Sequence, residues 1–591
     1  MSALLVLLLV APLGGALVLL LWPGRGMDRQ VRTVGLAASG LALAVALLAL
    51  TRRPWASRHA VLEVDVPWIP GLGARLHLVL DGISAPLVVL TAVLGLLVVV
   101  LVTCGPPSSA LPVRSARGLV ACLLAVEGGA LAAFTAADLI VFFVAFEVVL
   151  VPMWAAIRWW GDPHDEPGRR DAATRFILFT AGGSVVLLLG LLLVASASGT
   201  TDVVTLVARQ GDGMGRTVQV AAAVLMLLGL AVKVPVWPLH TWLPAAHTAA
   251  PTAGSVLLAG VLLKLGSYGM VRFVVPVVPE GFAAVAPVLG ALGVVGIFWA
   301  GLACLVERDL KRLVAFSSVA HMGFVALGIA SGTPQGLQGA LFANVAHGVI
   351  TSLLFVVAGG LKDRSGDADL GVLLQRARGG LRDRSPRFGG MLVVGCIAGL
   401  GLPGLAGFWG EFLAVYGAWQ ADPVATGAPV AFWRALAALA VLGTVLAAAY
   451  LLRVLRLLWH GELEGAALSS GVLVGTGMGE QDGSSEQQHS LTQGRPHARP
   501  DTPDLEVLHL PPGPPAAGDV SPALLEAGAR AALHLPRDVR HAVAVDTSPN
   551  ETAVGLTLVV LSIVPGLLPW LLLATTEPAV LHLLAVDRGL V

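Results

Sequence analysis

Apolar residues occur along this chain in long uninterrupted runs, not in the alternating pattern of an exposed sheet. They lie near 2–22, 31–50, 82–103, 117–135, 138–157, 176–195, 218–240, 251–274, 282–304, 312–330, 336–360, 390–418, 432–458 and 553–574. Each is close to the roughly 20 residues that a helix needs to cross a bilayer, so the pattern predicts an all-α polytopic membrane protein with fourteen spans. The first run follows Met-Ser with no basic segment before it and reads as a retained span. Two later runs look broken. The seventh contains Pro235, Pro238 and Pro244, and the twelfth contains Gly395, Gly399, Gly401, Pro403, Gly404, Gly407 and Gly410. Proline removes a backbone donor and clashes with the preceding turn. Broken backbone at membrane depth is tolerated where it faces protein or a wet cavity. Spans 4–8 and 9–13 each place a break in the fourth of five spans. Repeats with an odd number of spans insert in opposite orientations, and paired interruptions point to a transport site. The expected organisation is therefore residues 1–116 with three spans, 117–275 and 276–461 as two inverted five-span repeats, 462–549 as a hydrophilic insertion, and 550–591 with the last span. Within the insertion, Glu480 to Pro512 has a linker composition and Ser521–Leu535 is expected to form a short amphipathic helix.

Composition sharpens this picture. Hydrophobic residues make up 56% of the chain and charged residues 13%, with a mean hydropathy of +0.83, against about 25% charged in soluble proteins. A soluble enzyme and a disordered chain are excluded. Net charge is +0 with no basic tract, so no nucleic-acid partner is expected. The four cysteines are scattered without a C-x-x-C pair or a Cys/His cluster, and no Gly-x-Gly-x-x-Gly opens a helix after a strand. No metal, iron–sulfur or nucleotide site is expected in this chain. Basic residues concentrate in the loops after odd-numbered spans, which places those loops and the insertion in the cytoplasm and both termini outside.

The chain holds four lysines, Lys233, Lys264, Lys311 and Lys362, among 37 basic residues. Lys311 and Lys362 lie at span ends, where a side chain is expected to snorkel to water. Lys233 and Lys264 lie deep in apolar sequence, as do Glu127 in span 4, Glu147 in span 5 and Glu411 at the break of span 12. A charge at mid-bilayer costs about 2.5–3.5 kcal/mol on insertion scales, so each of these needs a partner or a function. Lysine can release its proton when desolvated and arginine effectively cannot. Lysines kept in the membrane of an arginine-rich chain therefore point to groups that titrate. Ser317, Ser318 and His321 share one face of span 10, and Asn344, His347 and Thr351 share one face of span 11. His240 follows Lys233 by seven residues, the same face if the helix continued. These histidines form a polar thread suited to a proton relay.

Three segments carry a family resemblance. The stretch Lys233-Val-Pro-Val-Trp-Pro-Leu-His240-Thr-Trp-Leu-Pro244 resembles the signature of the antiporter-like proteins of respiratory complex I. The segments from Asp309 to His321 and from Gly401 to Glu411 match them as well. The resemblance covers roughly residues 1–460 and 550–575. Most of that superfamily carries lysine at the twelfth-span break, and the M branch of NADH–quinone oxidoreductase carries glutamate, as Glu411 does here. It implies proton-pathway positions at Glu147, Lys233, Lys264 and Glu411, with His321 and His347 on the connecting axis. It further implies membrane-arm partners, especially the L and N chains, with NADH, FMN, iron–sulfur clusters and quinone on other subunits. Ala245 and Ala249 stand where the family often has Asp and Glu, and the insertion is longer than expected. Two rivals stay open on sequence: a subunit of a multisubunit cation/proton antiporter or membrane hydrogenase, and a purely structural membrane subunit.

Overall fold

The computed structural model describes residues 2–21, 28–51, 62–69, 71, 73–104, 116–377, 380–461 and 546–584. All of them belong to one unit formed by Met1–Leu463 and Val543–Val591. Most of the predicted insertion, including Ser521–Leu535, lies outside the described residues.

Among the described residues thirteen helices are long and apolar enough to cross a membrane. They are spans 1–11 (Ala3–Leu21, Arg29–Leu50, Ser84–Cys104, Ala116–Thr135, Leu139–Trp160, Glu166–Ser198, Arg216–Lys233, Thr252–Val274, Pro279–Val306, Leu310–Ala330, Pro334–Ser365), span 13 (Val430–Leu458) and span 14 (Pro549–Leu567). The missing twelfth is the broken one. It forms two short helices, Pro386–Gly399 and Ala406–Trp419, joined by a glycine-rich turn. Gly401 (φ 67°) and Gly404 (φ 95°) adopt left-handed backbone there, which a side chain would resist. Span 7 also breaks where predicted, its helix ending at Lys233 and resuming as Trp242–Ala249.

Two further irregularities were not visible in the hydropathy pattern. Span 5 is interrupted at Val149, between Leu139–Val148 and Leu150–Trp160; Pro152 cannot donate back to the preceding turn. Span 8 contains two π-helical segments, Leu258–Leu262 and Met270–Val274, on either side of Lys264. π-turns are rare and cluster at functional positions because they displace carbonyls from the regular ladder.

Spans 8, 10 and 11 form the centre of the bundle. Their apolar windows are 100%, 94% and 100% buried, whereas spans 1, 6, 13 and 14 keep a lipid-facing side. A clip recurs in the two five-span halves. Leu139 N–H donates to the Thr201 carbonyl (3.0 Å) and Val203 N–H to Ala137 (2.9 Å). Correspondingly, Leu310 N–H donates to Ala368 (2.9 Å) and Leu370 N–H to Arg308 (2.8 Å). In each half the clip ties the start of the second span to the chain leaving the third. Asp138 and Asp309 cap those second spans.

Among the described residues the strands form one hairpin between spans 2 and 3, β1 (Leu62–Ile69) against β2 (Ala74–Leu80), antiparallel with Leu62 opposite Leu80. Its signal is the alternation Leu62-Glu-Val-Asp-Val66, short and confined to a loop. The hairpin is fastened by His77, whose Nδ1 lies 2.6 Å from Asp202 and Nε2 2.9 Å from Glu63. Burial opposes charging of this imidazole, but the hydrogen bonds to Asp202 and Glu63 outweigh it, so His77 titrates above its ordinary 6.5. A raised folded value means that the clasp stabilises the fold fully below the ordinary value and is lost as pH rises through the elevated one. Hydrogen exchange of the Leu62–Leu80 amides, corrected for intrinsic rates, is expected to speed up across that window, and His77→Gln is expected to abolish the change. Protection independent of pH in the unsubstituted chain contradicts this.

Candidate functional site

The buried ionisable residues do not scatter through the bundle. Lys264, fully buried, directs its Nζ to the carbonyl of Ala259 (2.5 Å) and to Nδ1 of His347 (2.6 Å). Ala259 belongs to the first π-helical segment of span 8, so the wider turn supplies the acceptor that holds the ammonium. Ser267, one turn along, donates to Asn344 Oδ1 (2.9 Å) and ties span 8 to span 11. The His347 ring stands 5.9 Å from that of His321, tilted by 61°. His321 Nδ1 in turn lies 2.8 Å from Glu411 Oε1. Spans 8, 11, 10 and 12 thus contribute one group each to a row Lys264–His347–His321–Glu411.

Glu411 reaches His321 because its helix packs closely. A Cβ at Gly410 would lie 2.6 Å from the Ala343 backbone, so only glycine allows this approach. Between the two histidines lies a cavity of about 20 Å³ lined by Ser317, His321, His347, Thr351, Gly399 and Glu411. A cavity needs on the order of 10–15 Å³ on this measure to hold a water molecule. The two rings are too far apart to share a hydrogen bond, and the rest of the cavity wall is apolar, with Ala343, Ile350, Leu354 and Leu451 among its residues.

Lys233 and Glu147 form a second group. Lys233 is 2% exposed and has no hydrogen-bond partner among the described residues. Its Nζ sits 4.6 Å from the centre of the Phe146 ring, a cation–π contact. The Glu147 carboxylate instead accepts a hydrogen bond from Ser184. Phe146 directly precedes Glu147 in span 5, and Lys233 and Glu147 form no direct ion pair among the described residues. Gly266, two residues beyond Lys264, backs onto Lys233, whose Cβ is 3.1 Å from where a Gly266 Cβ would lie.

Two expected members of the relay stand elsewhere. His240 is not on the face of Lys233, because the helix stops at Lys233 and turns before Trp242. Its ring packs edge-on against Trp299 at 4.5 Å, and neither nitrogen has a partner among the described residues. Glu127 accepts a hydrogen bond from Ser39 (2.8 Å) and lies over Gly95, where a Cβ would come within 2.3 Å of its carboxyl carbon. It belongs to the packing of spans 2, 3 and 4, apart from the row.

Three residues were missed or misread. His247, on the short helix after the span 7 break, is fully buried and stacked on Phe355 at 4.4 Å, with both nitrogens unpartnered among the described residues. Lys311 does not snorkel. It is 3% exposed and donates to the Ala250 carbonyl at 2.7 Å. Lys362 also turns inward and pairs with Asp162 at 2.5 Å.

A bundle of membrane spans, three of them interrupted, around a buried protonatable row is the architecture of an antiporter-like membrane protein. Residues 136–432 match the family described as NADH:quinone oxidoreductase/Mrp antiporter, TM. The chain is 40% identical over 385 residues to NADH-quinone oxidoreductase subunit M of Pseudomonas aeruginosa, covering 64% of this chain and 72% of that protein. Its fold matches a chain of respiratory complex I from Thermus thermophilus solved with NADH bound, with a TM-score of 0.73 at 26% identity, over 98% and 99% of the two chains. A chain of the Mrp complex from Dietzia sp. DQ12-45-1b shares the fold at a TM-score of 0.73 and 22% identity, over 100% of this chain and 98% of that one. The chain belongs to the NADH:quinone oxidoreductase/Mrp antiporter membrane family.

Proposed function

We propose that this chain is a membrane-arm subunit of a proton-pumping NADH–quinone oxidoreductase and carries protons along Lys264, His347, His321 and Glu411. The observation that carries this reading is the pair of short contacts at the two ends of the row, Lys264 to His347 (2.6 Å) and His321 to Glu411 (2.8 Å), with a water-sized cavity between the histidines. For Lys264 to donate to His347 Nδ1, that nitrogen carries no proton and Nε2 carries one. When Lys264 gives its proton to Nδ1, His347 releases the one on Nε2 to water in the cavity. The water passes a proton to His321, which hands it to the Glu411 carboxylate. One proton moves the length of the row; Glu411 regains its charge when it empties, Lys264 regains its own when it is reprotonated, and each histidine is reset when its ring returns to the starting tautomer.

Lys233 and Glu147 supply the control. A carboxylate near an ammonium favours the charged amine, and removing that influence favours proton release. The interruption at Val149, two residues after Glu147, is where span 5 can reorient this carboxylate. The basic loops orient the chain with its odd-numbered loops in the cytoplasm and both termini outside. The clip that recurs in spans 4–8 and 9–13 supports their reading as inverted repeats. The partners are membrane-arm subunits, in particular the L and N chains. NADH, FMN, iron–sulfur clusters and quinone act on other subunits and not on this chain.

The control is tested in the intact complex reconstituted in vesicles. Lys233→Ala and Glu147→Ala are expected to assemble and to lose most proton translocation, measured as protons moved per electron. Lys233→Arg is expected to fail as well, because guanidinium keeps its proton. A normal ratio in assembled Lys233→Ala overturns the role; a normal ratio in Lys233→Arg alone makes Lys233 an electrostatic post.

A further inference from the structure

The row begins at Lys264, which is fully buried, so a proton must reach it from one membrane face. Among the described residues, a cavity of about 50 Å³ opens where the loop after span 5 meets the ends of spans 10 and 11. Its lining includes Asp162, His164, Ala250, Lys311, Lys362 and Asp363, and its volume exceeds the roughly 10–15 Å³ needed for one water. The Lys362–Asp162 pair stands in its wall with both side chains 14% exposed. Burial pushes the Asp162 carboxyl up, but the Lys362 bond and the nearby Lys311 charge outweigh it and keep it ionised.

Lys311 also lines this cavity and is itself 3% exposed. The carbonyl it reaches, on Ala250, ends the short helix that carries His247. His247, on that same short helix, is a fully buried imidazole with no hydrogen-bond partner among the described residues. A buried polar ring without a partner is costly, and stacking on Phe355 leaves both of its nitrogens without a partner among the described residues.

We propose that Lys311 and His247 form the intake arm of the proton path, joining the loop-side cavity to Lys264. This rests on the reading of the row as a proton path. Lys311 takes a proton from cavity water and gives it to one His247 nitrogen. His247 releases the proton on its other nitrogen toward neutral Lys264, which becomes the ammonium that His347 faces. Each transfer moves one proton and leaves the donor ready for the next. The bland alternative is that Lys311 only caps the helix end at Ala250.

The two separate on substitution in the assembled complex. Lys311→Arg keeps the charge and can still donate to the Ala250 carbonyl, but its conjugate base is at least about two pKa units less accessible. Intake through Lys311 therefore predicts proton translocation slowed on the order of a hundredfold, with subunit content unchanged. His247→Gln, which keeps hydrogen bonding and cannot shuttle a proton, is expected to show the same loss. Wild-type proton-to-electron ratios in Lys311→Arg, with impairment confined to Lys311→Met, overturn the proposal and leave the cap. A wild-type ratio in His247→Gln overturns it as well. Lys264→Met serves as the control in the same vesicles. If it pumps normally, the row itself fails; if it is inactive while Lys311→Arg and His247→Gln pump fully, only the intake arm fails.

Discussion

Lys264→Met is expected to leave the complex assembled and to abolish the protons moved through this chain. Methionine fills a similar volume, so the span 8–span 11 interface keeps its packing and loses a buried charge that is expensive to hold at mid-membrane. The Ala259 carbonyl and His347 Nδ1 lose their shared donor. The cost of the carbonyl is limited, because a carbonyl in a π-turn can find a nearby N–H. Folding should therefore survive while the head of the row is gone. Subunit content after mild extraction checks assembly, and the proton-to-electron ratio in vesicles checks transport. Assembly with a full ratio would remove Lys264 from the path.

The second large effect is at Glu411, where chemistry and shape can be varied separately. Glu411→Lys puts a titratable ammonium where most of the superfamily has one. His321 Nδ1, now 2.8 Å from Glu411 Oε1, can accept from that ammonium as His347 does from Lys264, so substantial pumping is expected to remain. Glu411→Ala empties the site and is expected to lose most pumping. If Glu411 served only to hold the broken helix against span 10, the order would reverse. The neutral glutamine would then be tolerated, and the lysine, facing His321 with the wrong charge, would disturb assembly.

How much of this was legible in the sequence follows from which signals are periodic and which are three-dimensional. The break of span 12 was legible because six glycines and a proline precede Glu411 in one stretch. The two polar faces were legible because His321 and His347 sit at helical spacing from Ser317 and Thr351, and those helices are regular. Their meeting was not legible, since spacing fixes a face and not the neighbour it finds. His240 was misplaced for the same reason that His247 was overlooked. Projection from Lys233 assumed a continuous helix, and the chain instead turns and starts a new helix at Trp242. Lys311 looked like a span-end side chain because Asp309 and Arg312 flank it; burial by the neighbouring Ala250 segment is tertiary. The π-turns around Lys264 leave no composition signal at all, and the hairpin alternation is short enough to vanish beside fourteen apolar runs.

The central claim is that Glu411 carries a proton and does not merely pair with His321. Glutamine keeps the size of the side chain and its ability to hydrogen-bond His321, and removes only the capacity to bind and release a proton. The direct measurement is the proton-to-electron ratio of the assembled Glu411→Gln complex in sealed vesicles during NADH oxidation. The path described here predicts that the protons contributed by this chain are lost while the subunits remain in place. A wild-type ratio in that variant would contradict it.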